Sequence, residues 1–123
     1  MIKTKAPVVW FEILVSNLER ASTFYNALFG WEFEPFIEYD QNYWIIQGNK
    51  NSIGGALVLN PFEKCENHGI VIFMEVNSIE DSIECVKSLA GIIEQAPKLI
   101  SKLAGTFALI QDLDGNLIGL WHK

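Results

Sequence analysis

Few side chains in this sequence have the chemistry to act on another molecule, and Glu12 stands first among them. It interrupts the apolar run from Val8 to Val15. A carboxylate inside such a run is costly to bury unless paired, and burial raises its pKa toward values useful for acid–base work. One reading makes Glu12 a general base, or an anchor for a cationic or hydroxylated ligand. The other makes it an exposed carboxylate, or one satisfied by Tyr25, Tyr43 or a lysine. Of the two histidines, His68 starts the strand that follows a polar linker and His122 is next to last in the chain. A metal centre built from Glu12, His68 and His122 would need both imidazoles away from strand ends, where exposure is the ordinary outcome. Cys65 and Cys85 lack metal-ligand spacing and have no base beside them, so both read as reduced thiols. Gly48, Gly54 and Gly55 fit neither a phosphate-cradling nor a dinucleotide-binding loop. Asp112, Asp114 and Asn116 echo a calcium loop without its glycine and its closing glutamate, and turn chemistry accounts for them.

The elements that must carry these residues come in two sets. Slid against itself by 61 positions, the segment from Phe11 to Gly30 lies over Ile72 to Gly91, with Val15 on Val76, Glu19 on Glu80, Leu28 on Leu89 and Gly30 on Gly91. At an offset of 64, Ile46 and Gln47 fall on Ile110 and Gln111, and Gly55 falls on Gly119. Each half opens with a short β-rich run, Val8 to Val15 or Ile70 to Val76. An N-cap follows, Asn17 or Ser78, and then an apolar stripe at helical spacing that ends at Gly30 or Gly91. Strands are expected at Trp31 to Ile37, Asn42 to Gln47 and Ile53 to Leu59, and again at Ile92 to Ala96, Thr106 to Gln111 and Asn116 to Trp121. Pro35 marks an edge or a bulge. The order is β-α-β-β-β, twice.

With 123 residues, half of them hydrophobic, the chain is large enough for one domain with its own core. The expected division is a first module over 7–60, a linker over 61–68 and a second module over 69–123. Nine basic against fifteen acidic residues leave a net charge of -6, the wrong balance for a nucleic-acid partner. No apolar run is long enough to span a bilayer, and Glu12 breaks the stretch that faintly mimics a signal peptide. A cytoplasmic protein is expected.

The run FEILVSNLERASTFYNALFGWEF and the close ALIQDLDGNLIGLW resemble the vicinal oxygen chelate superfamily, also called the glyoxalase/bleomycin-resistance/extradiol-dioxygenase superfamily. Leu113 stands where relatives usually have proline in the closing motif. The resemblance implies an α+β fold of two βαβββ modules, with mostly antiparallel sheets curling around a concave cavity and helices outside. It also implies a homodimer. In metal-using relatives four side chains hold one divalent ion in that cavity, and their positions here are Trp10, Gly55, Val71 and Gly119. None can ligate: indole N–H only donates, valine is inert and glycine has no side chain. Shifts of one residue, to Val9 or Phe11, Ile70 or Ile72, Gly54 or Ala56, and Ile118 or Leu120, recover no donor. No metal and no cofactor is therefore expected.

Alternation along the strands then assigns a cavity face. Val8 and Glu12 join Trp10, Phe73 and Glu75 join Val71, Ile53 and Leu57 join Gly55, and Leu117 and Trp121 join Gly119. Of the adjacent Tyr43 and Trp44, Trp44 is assigned to the cavity. The ligand-binding set is thus Trp10, Glu12, Trp44, Gly55, Leu57, Val71, Phe73, Gly119 and Trp121, with Glu12 as the catalytic candidate. Trp10, Phe73 and Trp121 would stack on a flat ligand, or else these rings simply fill the cavity as core. The leading function is metal-independent binding of a small aromatic or amphipathic molecule. One alternative is a lyase or isomerase resembling lactoylglutathione lyase, or a dioxygenase, with a rebuilt site. Another is a regulatory or accessory domain whose surface does the work.

Overall fold

A computed structural model of the chain describes residues 8, 10–48, 51–59 and 70–123. Cys65, His68, Val9 and the expected linker lie outside them. Two four-stranded sheets carry the architecture. The first contains β1 (Trp10–Val15), β2 (Glu32–Phe36), β3 (Asp40–Gln47) and β4 (Gly54–Leu59), in the order β1-β4-β3-β2. The second contains β5 (Ile72–Glu75), β6 (Ile92–Ser101), β7 (Gly105–Gln111) and β8 (Leu117–His122), in the order β5-β8-β7-β6. Helix α1 (Leu18–Phe29) follows β1, and α2 (Ile79–Ser88) follows β5. The first strand of each set pairs in parallel with the last, and the other pairs are antiparallel. This is the expected α+β fold, a twice-repeated βαβββ unit with mostly antiparallel sheets.

The helices begin where capping chemistry places them. Asn17 Oδ1 accepts the Arg20 N–H at 2.9 Å, and Ser78 Oγ accepts that of Asp81 at 3.2 Å. Their ends differ. Gly30 closes α1 with φ 73, whereas α2 turns at Ala90, with φ 65, one residue before the expected stop at Gly91. Gly91 serves another need. A Cβ there would lie 2.7 Å from Val86 Cγ1 and 3.1 Å from the Gln111 carbonyl oxygen, so the helix end reaches β7 only without a side chain. Pro35 answers to both readings made of it, because β2 is an edge strand and its register slips between Pro35 and Phe36.

Each sheet turns one face to the helices. Ile13, Val15 and Leu57 from the first sheet and Ala108, Ile110, Ile118 and Leu120 from the second join Phe24, Tyr25, Ile83 and Val86 from the helices in one core cluster. Polar groups tie the two halves together at its edge. The Tyr25 hydroxyl donates to Asp112 Oδ2 at 2.6 Å, and the Asn116 amide donates to Asp112 Oδ2 and to the Leu14 carbonyl, each at 2.9 Å. Asp114 accepts from the Ser16 N–H and hydroxyl and pairs with Arg20. Asp112 Oδ1 accepts the N–H groups of Asp114 and Asn116, as turn chemistry requires, but the same two aspartates also link the halves. Burial pushes the Asp112 carboxyl above its ordinary range, against the hydrogen bonds from Tyr25 and Asn116 that hold it down. The Tyr25 phenol is pushed well up by its own burial and by the Asp112 charge. Among the described residues, no helix is long and apolar enough to cross a membrane.

Candidate functional site

The faces turned away from the helices carry the chemistry. In a parallel pair, registered partners point to the same side, and Trp10, Glu12 and Leu14 oppose Gly54, Ala56 and Val58. Antiparallel pairing extends that face through Tyr43 and Ile45 to Glu34. In the second sheet Phe73 and Glu75 oppose Gly119 and Trp121, and Phe107 opposes Trp121 from the other side.

This register separates the expected ligand-binding residues into two groups. Trp10, Glu12, Phe73, Gly119 and Trp121 lie on the helix-free faces, and Val71 immediately precedes β5. Gly55, Leu57 and Trp44 do not. Leu57 is fully buried in the core, and Trp44 packs at its margin with its indole N–H donating to the Gln41 carbonyl at 3.0 Å. Gly55 opposes Phe11, and a Cβ there would meet the Phe11 ring at 2.6 Å. The misplacement of Gly55 and Leu57 has one cause. The β3–β4 connection is a residue longer than the β7–β8 connection, so the repeat offset of 64 that holds for β3 and β7 becomes 63 for β4 and β8. The true counterpart of Gly119 is therefore Ala56, and a shift of one residue reverses the face.

Tyr43 is the member of the site that sequence reasoning passed over. Its hydroxyl accepts the Trp10 indole N–H at 2.7 Å and donates to Glu12 Oε2 at 2.7 Å. Desolvation first, and then the hydrogen bond to Glu12, raise the Tyr43 pKa, so the phenol stays protonated and keeps donating. Tyr39 meets the Tyr43 ring edge-on at 5.4 Å and Phe36 lies 6.4 Å from it. A signal for Tyr43 was present: Gln47 aligns with Gln111, and alternation back from a polar Gln47 reaches Ile45 and Tyr43, leaving Trp44 on the core side. Glu12 itself is exposed, so the burial cost expected of it is not incurred. Its partner is Tyr43, one of those anticipated.

The second face is more apolar. Phe73 and Phe107 meet edge-on at 6.3 Å, the Phe73 ring covers the space a Gly119 side chain would take, and the Trp121 indole donates to the Ala104 carbonyl at 2.7 Å. Trp10 covers Gly54 in the same way on the first face. Among the described residues, ring contacts stay within each sheet's own half. His122 lies off these faces, with Nδ1 2.9 Å from the Val76 carbonyl oxygen. Cys85 is half-buried, its thiol 3.6 Å from the Ala27 carbonyl oxygen.

Comparison with known proteins agrees with this fold. Residues 8–49 match the family model described as bleomycin resistance protein-like N-terminal. A superfamily member from Sphaerobacter thermophilus, described as glyoxalase/bleomycin resistance protein/dioxygenase, is 20% identical and superposes with a TM-score of 0.72 over 97% of this chain and 98% of its own. The chain has the fold of the glyoxalase/bleomycin-resistance/dioxygenase proteins, and its first third matches a family model of that kind. A hypothetical protein from S. aureus is similar at 24% identity and a TM-score of 0.72, over 95% of this chain and 97% of that one. The fosfomycin resistance protein FosX of Listeria monocytogenes, in complex with Mn(II) and sulfate, is 13% identical with a TM-score of 0.74, over 97% and 91%. No curated protein matches by sequence.

The superfamily's divalent ion does not fit the residues present. The four positions that the resemblance implies, corrected for register, are Trp10, Ala56, Val71 and Gly119, and none offers an oxygen, imidazole or thiolate donor. Among the described residues no group of three His, Cys, Asp or Glu side chains gathers closely enough to hold an ion elsewhere.

Proposed function

We propose that this protein binds a small planar, aromatic or amphipathic molecule on the helix-free face around Glu12, without a divalent ion, as a cytoplasmic homodimer. The observation that carries this reading is the relay from Trp10 through Tyr43 to Glu12. Tyr43 spends its proton on Glu12 Oε2 and so fixes the carboxylate, while Glu12 Oε1 has no partner among the described residues. An oriented acceptor beside exposed rings suits a ligand that brings an N–H, an O–H or a cationic group together with an apolar plane. The polar group sets orientation, and Trp10 supplies the stacking area. Phe73 and Trp121 offer the second half of such a surface.

The test begins with elemental analysis of the purified, untagged protein and titration with Zn, Mn, Ni and Fe(II). It continues with a panel of planar compounds with and without an amine, followed by tryptophan fluorescence and calorimetry. An amine-bearing aromatic should bind metal-free protein. Glu12→Gln should weaken it by roughly 10- to 100-fold, the range of a charge-assisted hydrogen bond. Tyr43→Phe should weaken it less, because the carboxylate persists but loses its orientation. Stoichiometric tight metal in the native protein, lost on Glu12→Gln, would overturn the reading in favour of a lyase, isomerase or dioxygenase with a rebuilt site.

A further inference from the structure

The two halves of the chain carry equivalent hairpins of opposite charge. The β2–β3 hairpin closes at the Phe36–Asp40 pair, and the β6–β7 hairpin closes at the Ser101–Gly105 pair, each around a three-residue loop. Both are unusually apolar for exposed turns. Ile37 and Tyr39 are 78% and 70% exposed on the first, and Leu99 and Leu103 are 62% and 81% exposed on the second. Their charges are complementary. The first carries Glu34, Glu38 and Asp40, and the second carries Lys98 and Lys102.

Among the described residues, none of these five charges is in an ion pair; the pairs are Arg20 with Asp114 and Lys87 with Glu84. A cleft of about 350 Å³ opens on the first hairpin where β2 slips register, lined by Glu34, Phe36, Ile37, Glu38 and Ile45. Lys98 opposes Phe107 and so shares the helix-free face of its sheet, as Glu34, opposite Ile45, shares that of the other. A cleft lined by carboxylates and apolar side chains has the complementary chemistry to a hairpin that carries a lysine and a leucine on its strand and another of each in its loop.

We infer that the β6–β7 hairpin of one copy docks in the cleft on the β2–β3 hairpin of a second copy. This inference rests on the homodimer reading and specifies its contact. A twofold arrangement satisfies both hairpins of each chain at once, because the acidic hairpin of one copy meets the basic hairpin of the other and the reverse. Burial of Leu99, Leu103, Ile37 and Tyr39 supplies the affinity, and the opposed charges supply orientation and rate.

Charge reversal tests the contact without touching the core. Lys98→Glu with Lys102→Glu leaves both hairpins acidic, and Glu34→Lys with Glu38→Lys makes the first hairpin basic like the second. Each double variant, checked for native circular dichroism, should dimerise at least about tenfold more weakly than the parent in light scattering at low salt. An equimolar mixture of the two should regain the dimer as a heterodimer, because each acidic hairpin then finds a basic one. Carbodiimide coupling in a mixture of isotope-labelled and unlabelled parent protein should join Lys98 or Lys102 to Glu34, Glu38 or Asp40 between chains. A parent dimer unchanged by either double variant overturns the hairpin contact and leaves the homodimer reading standing. Variants that both weaken but do not recover on mixing also overturn it. A parent chain that stays monomeric up to about 100 µM, far above the Kd of a specific dimer, overturns both.

Discussion

Asp112 illustrates how much one buried carboxylate is asked to do. It accepts two backbone N–H groups and the Asn116 amide within its own turn, and the Tyr25 hydroxyl reaches it from the other half of the chain. Tyr25→Phe removes a donor while leaving the acceptor buried, a change that costs about 1–3 kcal/mol. The sign with pH follows from the raised Asp112 pKa. Between its unfolded value and its higher folded value the native state holds more protons than the unfolded chain, so this group's contribution to stability falls as pH rises through that window. Tyr25 works against that rise by stabilising the charged form. The loss in Tyr25→Phe should therefore be larger above the folded pKa of Asp112, where the carboxylate is ionised, and should shrink as pH falls below it. Urea unfolding of parent and variant side by side at several pH values measures this, and a pH-independent difference would show that Tyr25 acts only by packing.

At the scale of elements, helix α2 and its end show a local rule set aside for a tertiary contact. The turn has its two expected hydrogen bonds, from the Ala90 N–H to the Lys87 carbonyl and from the Gly91 N–H to the Val86 carbonyl, and the left-handed residue between them is an alanine. Glycine bears no Cβ penalty in that conformation. Ala90→Gly is thus expected to stabilise the protein by about 0.5–1 kcal/mol, read as a shift in denaturation midpoint with an unchanged slope. Glycine periodicity placed the stop at Gly91 because it registers where a side chain is missing and not why. One missing side chain can mean a positive φ, as at Gly30, or a close approach, as at Gly91.

For the whole molecule, the repeat invites a picture of two independent halves, and the core contradicts it. Residues of both sheets and both helices form one buried cluster, and the Tyr25–Asp112 and Ser16–Asp114 contacts cross between halves. Unfolding is expected to be one cooperative transition. Tryptophan fluorescence, which reports mostly the first half through Trp10, Trp31 and Trp44, should coincide with far-ultraviolet circular dichroism, and separate midpoints would mean the halves unfold independently. If the protein is a homodimer, that common midpoint rises with protein concentration.

Local chemistry sufficed for much of this. Short-range signals such as the caps at Asn17 and Ser78, the β-branched runs, the stripe from Leu18 to Phe29 and the order of elements depend on neighbours in the chain, and the internal repeat reinforced each of them. That the positions carried over for the superfamily's metal hold no donor is a matter of residue type, which needs no structure to read. The face on which a strand residue lies is different, because it depends on the register against a partner strand. One extra residue in the β3–β4 connection moved Gly55 and Leu57 into the core side and brought Ala56 to the helix-free face. The choice between Tyr43 and Trp44 went the same way. The bond from Tyr43 to Glu12 joins residues 31 positions apart, and the Tyr25–Asp112 bond joins residues 87 apart. Partners so distant in the chain are chosen only when packing brings their strands together, so the residue types were given by the sequence while their association was decided by the tertiary structure.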